Sequence, residues 1–186
     1  MRNFIFGVVV TLAVLILGGV GAALLGFIPT QANVKPPRWE THLAMSAVDA
    51  STDKRAAHIT SPVLPSAENL IDGMKIYTMN CAGCHGALDK KAAVFGSSFY
   101  PPAPQMILDP PDDPDWHNYY VIHNGIRYTG MPAWDKTLSE QDIWKVTIFL
   151  SHIEKLPAPA QDYWKNAFGV TPPAGAGAEH GDHDSH

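Results

Sequence analysis

Cys81 and Cys84 are the only cysteines in the chain, and His85 follows the second of them directly. Two thiols three residues apart face one side of a helical turn, with the imidazole beside them as a third donor. Several chemistries use such a trio. A dithiol redox pair needs a βαβ setting, and no run of alternating residues long enough for a sheet surrounds this one. A structural zinc site needs four ligands, and a histidine placed immediately after Cys-x-x-Cys is not the usual spacing. A disulfide closed across two residues would strain the bridge. The remaining reading is covalent attachment of c-type haem, for which Cys-x-x-Cys-His is the recognised signal. Two sulfurs on one turn meet the two vinyl groups of one porphyrin edge, and His85 then points over the ring as an axial iron ligand. One haem accounts for both cysteines.

A second axial ligand has to return from downstream to the other face of the ring. Met131 is the candidate, in Tyr128-Thr129-Gly130-Met131-Pro132-Ala133-Trp134. Gly130 and Pro132 make a tight, rigid loop around it, outside any helical apolar face. Met74 and Met79 lie instead in a helical pattern and read as core filler. His117 and His123 are the competitors, for a bis-histidine site, although both fall in a predicted short helix and read rather as surface or hydrogen-bonding residues.

These residues need elements to position them. Ser66 is a good N-cap, and Leu70, Met74 and Tyr77 then recur at helical spacing, giving a helix that runs into Cys81. Ser139 precedes Glu140, Gln141 and Asp142 in a capping-box-like start. From there Ile143, Trp144, Val146, Thr147, Leu150 and Ile153 continue an amphipathic helix to about Lys155, stopped by Pro157. A shorter helix is expected from Asp115 to Asn124, ended by Gly125. Gly73 costs helix stability, so close approach of another helix is expected there. The fold class is therefore all-α, a small domain wrapped around one covalent haem. The expected organisation is residues 1–3 as a cytoplasmic N-terminus, 4–28 as a transmembrane anchor and 29–65 as a linker with a short amphipathic helix. Residues 66–160 form the haem domain and 161–186 a flexible His-rich tail. His180, His183 and His186 in that tail read as a solvated end, with weak metal binding as the alternative.

The combined pattern resembles the bacterial class I cytochromes c in a membrane-anchored, single-haem form. It runs through Leu70-x-x-Gly73-x-x-x-Tyr77-x-x-x-Cys81-x-x-Cys84-His85-Gly86, then Asn124-Gly125-Ile126-Arg127-Tyr128-Thr129-Gly130-Met131-Pro132, then the closing helix. The resemblance implies His85/Met131 ligation and crossing of the first and last helices of the domain near Gly73, with Phe149 or Trp144 packed against Gly73 and Tyr77. It implies a ring edge exposed to redox partners. It also implies a proline carbonyl orienting His85 through its other ring nitrogen, and Tyr100-Pro101-Pro102-Ala103-Pro104 offers three prolines for that role. Arg127 could grip a haem propionate with two parallel hydrogen bonds; ordinary surface charge is the plain alternative. Phe95, Phe99, Tyr100, Trp116, Tyr119, Tyr120 and Trp134 are candidates for the pocket wall or for ordinary core. The insert between Gly86 and Asp115 is longer than in the smallest soluble members.

From Phe4 to Ile28 the chain carries no charged residue. As a helix that run would extend about 37 Å, against a hydrocarbon core of roughly 30 Å. It is too long for the usual signal-peptide apolar region, and Thr30-Gln31-Ala32 is a weak cleavage candidate. Arg2 before the span favours a cytoplasmic N-terminus and a haem domain on the periplasmic side of a bacterial inner membrane. The net charge of −5 argues against a nucleic-acid partner. Residues 66–160 carry 11 carboxylates against 7 Lys and Arg, which favours partners with a basic face. With both axial positions filled, the expected function is electron carriage and not enzymatic catalysis. The partners would be redox proteins: a quinol:cytochrome c reductase, a terminal oxidase or a dehydrogenase. The alternatives are a permanent subunit of a larger oxidoreductase, with Gly18, Gly19 and Gly21 permitting close helix contact in the span, or a haem enzyme or sensor with an open sixth position.

Overall fold

The computed structural model describes residues 1–173, and the histidines of the tail lie outside them. All regular structure among the described residues is helical. The chain divides into two compact units, Met1–Ala32 and the remainder from Asn33.

The first unit is helix α1, Arg2–Leu24, none of whose side chains is buried. Its 23 residues rise about 34 Å, enough to cross a bilayer. It starts two residues before the uncharged run and stops four residues short of that run's end, with Gly26 at φ +79° just beyond it.

In the second unit, α2 (Arg38–Arg55) is longer than the short linker helix expected, and it packs on α5 (Asp115–Asn124). Thr52 of α2 is buried, His58 stacks on Trp116 with centroids 3.9 Å apart, and buried His117 lies between Asp49 at 3.8 Å and Asp113 at 3.9 Å. Trp116, a candidate for the pocket wall or for ordinary core, and His117, read as a competing ligand or a hydrogen-bonding residue, both take part in this joint.

Helices α3 (Ala67–Asn80) and α6 (Glu140–Ser151) form the centre of the core. Both start at the serines read as caps: Ser66 Oγ accepts from the Asn69 amide at 3.3 Å and Ser139 Oγ from the Asp142 amide at 3.1 Å. Each satisfies an amide that the first turn leaves without a partner. They cross at Gly73, where a Cβ would run into the Lys145 carbonyl oxygen and lie 2.8 Å from Phe149 Cβ. Only glycine permits that approach. Phe149 meets Tyr77 edge-on at 5.7 Å, whereas Trp144 stacks on Tyr119 of α5 at 4.0 Å. Across the crossing, Lys145 Nζ donates to Asp72 Oδ2 at 2.9 Å. After α6 a tight 3-10 turn, Ile153–Lys155, completes the segment expected as continuous helix.

The core does not end at residue 160. Helix α7, Ala158–Phe168, packs on α3, and its Trp164 is fully buried against Phe149. Residues 161–168, expected as flexible tail, are helix because Pro157 ends one helical segment and is also the N-cap of the next. A proline's missing N–H costs nothing at a helix start. Met74 is core as expected, but Met79 is 74% exposed, beside Lys75, Tyr163 and Phe168 in a shallow recess between α3 and α7.

Candidate functional site

Cys81 caps α3 and starts the single-turn helix α4, Ala82–His85. The Cys81 carbonyl accepts from the amides of Cys84 at 3.1 Å and His85 at 2.9 Å. That turn brings both thiols, unbonded to each other and partly buried, to one side. Burial, with the neighbouring Cys84 thiol second, pushes the Cys81 thiol up to about 12.

Three groups fix the turn from behind. Tyr77 Oη donates to the carbonyls of His85 at 3.0 Å and Gly86 at 2.9 Å, tying α4 to the buried core; desolvation raises the pKa of this phenol. Gly96, in the 3-10 turn Gly96–Ser98, lies so close that a Cβ there would collide with the Cys84 carbonyl oxygen. Gln105 Nε2 donates to the Cys84 carbonyl at 3.1 Å. Gln105 carried no motif and was missed in the sequence; its contact with Cys84 spans 21 positions.

Among the three prolines offered by the sequence, Pro104 is the one whose carbonyl faces His85, 2.8 Å from Nδ1. Accepting a hydrogen bond there requires the proton on Nδ1, which leaves Nε2 with its lone pair free to bind a metal. Burial lowers the His85 pKa despite that hydrogen bond, a shift towards the neutral ring that metal ligation uses.

Met131 lies in a loop built around Thr129. The Ile126 carbonyl accepts from Thr129 Oγ1 at 2.8 Å, Thr129 Oγ1 accepts from the Met131 amide at 3.1 Å, and the Met131 carbonyl accepts from the Ile126 amide at 3.1 Å. The Met131 side chain is half-buried against the core. Gly130 is seated on the Phe99 ring, which Phe95 meets edge-on at 4.9 Å, so the insert and the methionine loop meet here. Arg127 is exposed and makes no hydrogen bond or ion pair among the described residues. His123 stays in the last turn of α5 with its ring near Tyr119.

The donor set suits a covalently held haem: two unpaired thiols on one turn, an imidazole with Nε2 free, and a thioether on a braced loop. Residues 68–150, under half of the chain, match the family described as cytochrome C oxidase, cbb3-type, subunit III. This segment is a class I c-type cytochrome domain. No curated protein and no solved structure matches the chain. The cytochrome c domain binds haem c covalently and serves haem-based electron transfer, and the chain that carries it has an apolar helix long enough to anchor it to a membrane.

Proposed function

We propose that this protein is a membrane-tethered carrier of single electrons. Cys81 and Cys84 would hold the haem through thioether bonds, and His85 Nε2 and Met131 Sδ would bind its iron. The observation that carries the reading is the 2.8 Å contact of His85 Nδ1 with the Pro104 carbonyl, because it selects the tautomer whose other nitrogen can bind iron. The bound group supplies a reversible ferrous–ferric couple. The chain supplies the rest. Tyr77 and Gly96 hold the attachment turn still, the Thr129-braced loop presents the thioether, and Arg127 is available to a propionate. With His85 and Met131 both bound, the iron would have no open site for ligand chemistry, and thioether ligation would raise its potential relative to two nitrogen ligands. In this reading the haem domain would face the periplasmic side of a bacterial inner membrane. Its partners would be a quinol:cytochrome c reductase, a dehydrogenase or a terminal oxidase.

The family match favours a second reading, a fixed subunit of a terminal oxidase. Purification in mild detergent separates the two, since a carrier comes away alone and a subunit comes away with its complex. Ligation is tested by oxidised and reduced visible spectra. The weak long-wavelength band of methionine-to-ferric-iron ligation should be present and be lost in Met131→Ala, which should then bind carbon monoxide when reduced. A wild-type protein that lacks the band and binds carbon monoxide readily would overturn Met131 as ligand.

A further inference from the structure

Gln105 follows the proline whose carbonyl meets His85, and its half-buried side chain uses both amide protons and one oxygen lone pair within the protein. Oε1 accepts from the Ala93 amide at 2.7 Å, and Nε2 donates to the carbonyls of Cys84 at 3.1 Å and Ala103 at 3.0 Å. The three partners fix the amide's orientation without ambiguity, because Ala93 needs an acceptor and the two carbonyls need donors. One side chain therefore joins the attachment turn, the front of the insert and the residue just before Pro104. The insert is otherwise closed by backbone bonds of its own, Ala87 to the Lys91 carbonyl at 3.1 Å and Ala103 to the Gly96 carbonyl at 2.9 Å. Those bonds tie the insert to itself. Besides the His85–Pro104 contact itself, the bond that ties the Pro104 segment directly to the turn bearing His85 is the one Gln105 makes to Cys84.

We propose that Gln105 is a positioning residue that holds the Pro104 carbonyl on His85 Nδ1 and thereby sets the donor strength of the imidazole toward iron. The inference rests on His85 being an axial ligand. Hydrogen bonding at Nδ1 makes the ligated imidazole more basic, and a more basic ligand favours the ferric state. Loosening the carbonyl should weaken that bond and move the midpoint potential positive.

The experiment uses the full-length, haem-loaded protein in detergent, with neutral substitutions so that no new charge shifts the potential. In Gln105→Met the His85 Nδ1 proton, followed by NMR, should exchange with solvent about tenfold faster or more, as loss of a typical buried hydrogen bond gives, and the midpoint potential should rise. Gln105→Asn, one methylene shorter, should change both in the same direction by less. If Gln105→Met carries haem and keeps both the wild-type exchange rate and potential, the proposal fails. Should that variant not assemble, Gln105→Asn is read on the same two measurements, alongside the wild-type Ala93 amide. An Ala93 amide that exchanges at the rate of an unstructured chain overturns the proposal without any variant. Failure of the underlying ligand assignment is separate: His85→Ala would then keep the wild-type spectrum.

Discussion

The α3–α6–α7 crossing and the insert from Gly86 to Pro114 support the same attachment turn by different physics. At the crossing, Leu70, Met74, Tyr77, Ile143, Phe149 and Trp164 are buried, so the force is removal of apolar surface from water, which has no direction. In the insert only Gly86, Leu88, Gly96 and Ile107 are buried, and position comes from directed hydrogen bonds to backbone: Gln105 to the Cys84 carbonyl, His85 to the Pro104 carbonyl. The first region supplies stability and the second supplies geometry. A site that must hold a ligand nitrogen at a fixed angle needs the directional kind.

Two glycines measure that contrast most sharply. A side chain at Gly73 would meet Lys145 backbone within a packed helix pair, and one at Gly96 would meet Cys84 backbone from a loop. Gly73→Val should cost about 3 kcal/mol or more, the upper end of overpacking, in thermal or denaturant unfolding. Gly96→Ala should cost less, because a loop can shift, but should disturb haem attachment and the visible spectrum more. Equal unfolding losses with equal spectra would erase the distinction between the two regions.

Tyr77 joins them, with its ring in the core and its hydroxyl on the His85 and Gly86 carbonyls. Tyr77→Phe keeps the ring and removes the hydroxyl, and should cost roughly 1–2 kcal/mol, visible as a lowered unfolding midpoint. Retention of full wild-type stability would place the anchoring of the turn elsewhere.

The smallest effect belongs to the ion pair across the crossing. The hydrogen bond from Lys145 holds the Asp72 carboxyl below its ordinary 3.8, and the same bond raises Lys145 above 10.5. The Asp72 contribution is present above pH 3.8 and lost as pH falls through the depressed folded value. The Lys145 contribution is present below pH 10.5 and lost as pH rises through the elevated one. Asp72→Asn should therefore differ from wild type by at most about 1 kcal/mol, given solvent screening, over the range between those limits. The difference should narrow outside them and in high salt. A difference that persists undiminished in strong acid would mean that Asp72 acts through something other than its charge.

Much of this was legible from local pattern. Ser66, Ser139 and Gly125 mark helix ends because caps satisfy amides and carbonyls within a few residues, and the haem signal is complete in five consecutive residues. Helix α7 was also legible, since Ala160, Trp164 and Phe168 recur every four residues and Gly169 follows in a left-handed conformation. It was overlooked because Pro157 reads as a stop and is also a start. Exposure of Met79 was not legible, because its face of α3 depends on which helices pack there.

By itself, then, the sequence determined the all-helical character, the capped segments, the covalent haem signal and the apolar span, each set by interactions within one or two turns. Only the tertiary structure decided that Pro104 and not Pro101 or Pro102 faces His85, that Phe149 and not Trp144 meets Tyr77, that α2 packs on α5, and that Gln105 reaches Cys84. Those choices join residues far apart in the chain, and their partners are fixed only when directed hydrogen bonds and packed side chains meet in three dimensions.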